Sequence, residues 1–175
     1  MSQPEIIINR APVLTLWATT VAERMGFDPD AALSLGKAVA GLTAQSKGRH
    51  LGIFKPGRGP NGKPLPKHGL GEELWIQLCG RSIPAKNTPG GLRAVAKEKI
   101  IEPGKVRVYL NQKFGDDLSG VRRAMEQLAG AHDPDDLIDT AFALYENFRP
   151  SIPPGTRGWG AKGKLDLKRI RSLAG

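Results

Sequence analysis

Apolar residues recur at three- and four-residue spacing in the first and last thirds of this chain, and the middle breaks that rhythm. After Asn9, a residue suited to capping, the run from Pro12 to Gly26 puts Leu14, Trp17, Ala18, Val21 and Met25 on one face of a predicted helix. Gly26 is its expected stop. Asp28-Pro29-Asp30 opens a second helix: Asp28 caps, Pro29 suits the first turn, and Asp30 faces the positive end of the dipole. Leu35, Ala38, Val39 and Leu42 mark its buried face, Gly36 and Gly41 are expected to admit another backbone closely, and fraying is expected near Lys47-Gly48. Asp116 or Asp117 starts a helix with Leu118, Val121, Met125 and Leu128 inward. Asp133-Pro134-Asp135-Asp136 starts another, with Leu137, Ile138, Ala141, Leu144, Tyr145 and Phe148 inward and Pro150 at its end. A short basic helix is predicted from Asp166 to Leu173.

The middle reads differently. Leu74, Ile76 and Leu78 alternate with Trp75 and Gln77, a strand pattern that Gly80-Arg81 turns into Ser82-Ile83, where Pro84 confines the second piece to an edge. Thr88-Pro89 predicts a short helix through Leu92, Val95 and Ala96. Residues 99–110 fit either a hairpin turning at Pro103-Gly104 or a helix from Pro103 to Gly115, and the glycine stop favours the helix. The expected fold class is mainly α: a compact multi-helix domain with one small β element and basic Gly/Pro-rich loops. The expectation is a single domain over 1–175, its helical body over about 9–148.

Charge adds what periodicity leaves out. No carboxylate stands between Asp30 and Glu72, where Lys37, Lys47, Arg49, Lys55, Arg58, Lys63 and Lys67 lie, and the heart of that stretch, 47–71, is built from Gly, Pro, Lys and Arg. The closing segment, 149–175, sets seven cations, Lys162 and Lys164 among them, against Asp166 alone. The chain totals +9, so the rest of it is acidic. Two basic segments on an acidic helical body point to a polyanionic partner.

The remaining chemistry narrows the choice. Gly57 to Lys63 fits the spacing of a phosphate loop, but residue 64 is proline and Pro60, Pro64 and Pro66 forbid the helix that would follow. His50, His68, His132 and Cys79 have no metal-ligand spacing, so no metal or cofactor is expected. Cys79 is read as a small buried apolar residue, and as the sole cysteine it fits a reducing cytosol. Ala22, Gly26, Ala32 and Leu35 have a spacing that looks like a DNA-reading helix-turn-helix, but the second helix would drive Asp28 and Asp30 at phosphates, so a plain helical hairpin is the reading. The N-terminus has no signal-peptide pattern and no apolar run could span a bilayer, so a cytoplasmic protein without a membrane partner is expected.

Nucleic acid, DNA or RNA, bound with low sequence specificity, is the function this sequence predicts. Lys47, Arg49, Lys55, Arg58, Lys63, Lys67, Arg157, Lys162 and Lys164 would contact phosphates. Trp159, between glycines and flanked by cations, would stack on an unpaired base. A protein-interaction or assembly module docking on an acidic partner is the alternative. An enzyme ranks third, because no nucleophile, acid–base pair or metal set has a signature here.

Overall fold

The computed structural model describes residues 6–50, 73–96, 99–150 and 162–174. The chain runs β1 (Ile6–Asn9), α1 (Arg10–Arg24), α2 (Pro29–His50), β2 (Glu73–Leu78), β3 (Arg81–Thr88), β4 (Gly91–Ala96), β5 (Lys99–Ile100), α3 (Pro103–Phe114), α4 (Leu118–Gly130), α5 (Pro134–Phe148), β6 (Lys162–Leu165) and α6 (Leu167–Leu173). A single 3-10 turn, Gly115–Asp117, links α3 to α4. Mixed α/β therefore replaces the expected single β element: there are two small antiparallel sheets, β1 with β6 and β2-β3-β4-β5.

Helix α1 is the post on which the rest is mounted. Every residue from Ala11 to Ala22 is buried, which a helix with one apolar stripe would not allow. Its threonines tolerate this because Thr15, Thr19 and Thr20 each donate a hydroxyl hydrogen bond to the carbonyl one turn back. Trp17 is sealed inside, donates its indole N–H to the Ala141 carbonyl at 2.9 Å, and meets the Phe148 ring edge-on at 5.3 Å. One connected set of buried side chains runs from Ile6 through α1 to Ile170.

The α1–α2 hairpin forms as expected. Gly26, at φ +110°, ends α1, and the Asp28 carboxylate accepts from the Ala31 N–H at 3.2 Å. Other cap readings fail: Asn9, Asp117 and Asp133 occupy N-cap positions without a side-chain cap bond. Asn9 is instead the last residue of β1, its backbone committed to Lys162 of β6. Gly36 does admit close approach, since a Cβ there would lie 2.2 Å from the Thr19 hydroxyl and 2.7 Å from the Thr15 carbonyl. Gly41 does not, for a Cβ there would meet nothing within 4 Å. The helix also runs on to His50 instead of fraying near Lys47-Gly48.

Three further readings are corrected. Residues 91–96, expected as a helix, form strand β4. Thr88 accepts from the Gly90 N–H and donates to the Gly91 carbonyl, closing a hairpin turn, and Gly91 sits at φ +121°, outside any helix. Tertiary partners then take the backbone: Ala94 N–H donates to the Ser34 hydroxyl of α2, and Ile101 N–H donates to the Ala94 carbonyl. Second, Pro84 does not make β3 an edge, because β3 lies between β2 and β4. The β3–β4 ladder begins at Ala85, one residue past the proline, so the missing N–H falls outside that register. Third, Ile138 on α5 is exposed and Leu144 only partly buried, which narrows that helix's inward face to Leu137, Ala141, Tyr145 and Phe148.

Residues 103–114 are a helix, as the glycine stop favoured, with Val106, Leu110 and Phe114 buried and Tyr109 partly so. The β2–β3 connection is the two-residue turn Cys79-Gly80, both at positive φ, the geometry whose twist suits a tight hairpin. Among the described residues no helix is long and apolar enough to cross a membrane.

Candidate nucleic-acid interface

Begin with the ends of α1. The contact of Gly36 with Thr15 and Thr19, together with the short turn at 25–28, sets α1 and α2 antiparallel with Arg10 level with Thr43. The last seven residues of α2, carrying Lys47 and Arg49, thus continue about 10 Å past the start of α1. Helix α5 also runs against α1, since Trp17 bonds Ala141 and Arg10 bonds Pro150. One end of the α1 post therefore gathers the end of α2, the end of α5 and the β1–β6 ribbon.

That end is rich in cations. Arg10 donates its Nε–H to the Pro150 carbonyl at 3.1 Å. Burial first, and the neighbouring Arg149 second, pull its guanidinium down from the ordinary arginine value. Arg169 on α6 donates to both the carbonyl and the side-chain oxygen of Asn147, at 3.3 and 3.0 Å. Arg169 thus meets a carbonyl that α5 leaves unsatisfied in its last turn, where positive charge is favoured, and Arg10 meets one just past the helix end. Lys162 and Lys164 project from the exposed face of β6, because Gly163 and Leu165 take the buried one. Helix α6, capped by the Asp166 carboxylate on the Lys168 N–H, adds exposed Lys168 and Arg171. Ile7, the cross-strand neighbour of Lys164, is 56% exposed among these charges.

The other end of α1 has the opposite character. Glu23, Asp28 and Asp30 lie around the α1–α2 turn, and Arg24 donates to the His132 carbonyl at 2.9 Å, which brings Asp133, Asp135 and Asp136 alongside. Two cations there are paired, Arg107 with Asp30 at 3.0 Å and Arg122 with both Glu23 and Glu126, while Arg24 meets carbonyls alone. At the basic end, Arg10, Arg149, Lys162, Lys168 and Arg171 have no carboxylate ion-pair partner among the described residues. Two carboxylates are there as well, Asp166, engaged as a cap, and exposed Glu146 in the last turn of α5.

Of the residues predicted to bind, the structure brings Lys162 and Lys164 to this end and runs Lys47 and Arg49 toward it on α2. Lys55, Arg58, Lys63, Lys67, Arg157 and Trp159 lie outside the described residues, as do the phosphate-loop-like stretch and His68. The chain matches no protein-family model, curated protein or solved structure. Sequence reasoning missed Arg10, and it counted Arg149 and Arg169 in the closing basic segment without naming them as contacts. Arg10 sits in an otherwise apolar helix start, and only the packing of α5 and α6 reveals what it faces.

Among the described residues no group of three His, Cys, Asp or Glu stands close enough to hold a metal ion. Cys79 is buried, as read, and burial pushes its thiol up to about 12, so thiolate chemistry is suppressed.

Proposed function

We propose that this protein binds nucleic acid through the basic end of the α1 post, with little sequence preference. The observation that carries the reading is the polarity itself. Arg10, Arg149, Lys162, Lys168 and Arg171, without a carboxylate partner among the described residues, collect at the α5 and β6 end of α1, while at the far end Arg107 and Arg122 are paired off. The α5 dipole accounts for Arg169, which touches a carbonyl of its last turn, and a carbonyl just past that helix accounts for Arg10. They do not account for Lys162 on a strand, or for Lys168 and Arg171 on the outside of α6. Such side chains are free to displace condensed counterions from phosphates. Lys162 on a strand face and Lys168 and Arg171 on the short α6 suit phosphate contact better than base edges, so backbone contact dominates. Trp159, by sequence, is the base-stacking partner.

The test is fluorescence anisotropy with short single- and double-stranded DNA and RNA. With about five phosphates neutralised on a single strand, affinity should fall roughly a hundredfold between about 50 and 200 mM salt. The combined change Lys162→Gln, Lys168→Gln and Arg171→Gln should flatten that dependence by about three contacts. Affinity independent of salt, or untouched by the triple change, overturns the reading. The exposure of Ile7 among the lysines favours a second reading, an acidic protein partner. Ile7→Lys separates the two, because it strengthens phosphate binding and removes the apolar contact a protein would use.

A further inference from the structure

Away from the basic end, helices α2 and α3 and the strands β3 to β5 leave a cavity of about 550 Å³ between them. Its walls are apolar: Leu42 from α2, Pro84 and Val95 from the sheet, Ile101, and Val106 from α3. Gly41 keeps the α2 wall open, since a side chain there would start in empty space. The volume lies within the range of small-molecule sites, which are apolar bodies with a few placed polar groups.

The polar groups are few and of a definite kind. Lys37, one turn before Gly41 on α2, is half-buried at the wall, with its ammonium 4.0 Å from the centre of the Tyr109 ring. It has no carboxylate partner among the described residues. Glu102 and Lys105, three residues apart at the start of α3, bring one charge of each sign, so Lys37 is the uncompensated charge of the site. A ring face is a partial substitute for an anion, worth less than a carboxylate to a desolvated ammonium. Burial first, and the neighbouring Lys113 second, hold the Lys37 pKa below the ordinary lysine value. An anion brought to the ammonium would reverse that.

We propose that this cavity binds a small organic anion, an apolar chain or ring ending in one carboxylate, with the apolar body against Leu42, Val95 and Val106 and the carboxylate on Lys37. The site is separate from the polyanion surface: Lys37 lies on the α3 and sheet side of α2, whereas the phosphate-binding candidates gather at the α5 and β6 end of α1. One protein would then hold two anionic ligands of different class.

The experiment uses the full chain and 1-anilinonaphthalene-8-sulfonate, an anion with an apolar body, displaced by decanoate or by the neutral analogue decanol. Decanoate should displace the probe from a single saturable site and decanol should do so more weakly. Lys37→Met keeps the stem and removes the charge. It should weaken decanoate about tenfold or more and leave decanol within about twofold. Glu102→Gln should tighten decanoate, whereas a site for cations or zwitterions would weaken on that change. Gly41→Phe fills the cavity from a position that is open, and should abolish displaceable binding of both with the melting temperature maintained. Gly41→Leu repeats the test with a smaller filler. Displaceable binding that survives both fillers, or decanoate affinity indifferent to Lys37→Met, overturns the proposal.

Discussion

The two flanks of α2 are built from the same kind of residue and do opposite things. On the α1 flank, Gly36 disappears into the backbone of its neighbour, with Thr15 and Thr19 closing over it. On the flank facing α3 and the sheet, Gly41 faces open space and the helix stands off from its neighbours across the cavity. The first flank is a close-packed contact between helices, where atoms interlock at the density of an organic crystal. The second is held at its rim by directed bonds. Ser34 accepts from the Ala94 N–H and donates to the Ile101 carbonyl at 2.7 Å, pinning β4 and the chain before α3 to the helix. A helix can thus be anchored by steric fit on one side and by a few directed side-chain contacts on the other. On the α3 flank, room for a ligand exists because that fit was not used.

Substitutions along α2 can break that contrast or sharpen it. Gly36→Val should cost the most, about 3 kcal/mol, because Thr19 and the α1 backbone would have to move apart. A urea midpoint that falls while the slope is kept would show it. Should Gly36→Val be neutral, the two flanks would be packed alike. Ser34→Ala should come next, at about 1–3 kcal/mol, because it leaves the Ala94 N–H and the Ile101 carbonyl without their shared partner. Its hydrogen-exchange signature should be local, with protection lost first at Ala94. The smallest effect has the opposite sign. Gly41→Ala should stabilise by about 0.5–1 kcal/mol, since the methyl meets nothing and alanine is the better helix former. A loss of stability at Gly41 would mean that the α3 flank is closed after all.

How far the sequence reached depends on how local the signal was. Helices α1, α2, α4 and α5 announce themselves through apolar spacing and through glycine or proline stops, and for α3 the match of Gly115 to the apolar spacing favours helix over hairpin. Cap chemistry was legible in part. Asp28 and Asp166 bond as an N-cap residue should, while Asn9, Asp117 and Asp133 stand in the position without that bond. The strands β1, β4 and β6 were not read, for the same reason in each case. KGKL at 162–165 is a basic tail until Ile6 to Asn9, more than 150 residues away in sequence, supplies a ladder. Leu92 to Ala96 has helical spacing until Ser34 and Ile101 claim its backbone.

The candidate site divides along the same line. That the chain carries two cation-rich segments on an acidic body is fixed by composition and needs no coordinates. That Lys162 faces outward, that Arg10 and Arg149 crowd together, and that the acidic helix starts gather at the far end follow from antiparallel packing against α1. The Lys37 cavity was invisible, since its walls come from five elements and its emptiness from a glycine that reads like its neighbour five residues earlier. Helical propensity, capping and net charge are properties of neighbours along the chain, so a sequence states them directly. Strand pairing, the partner of a charge and the space left between elements are set by residues that meet only after folding. Their free energies come from contacts that no local window contains.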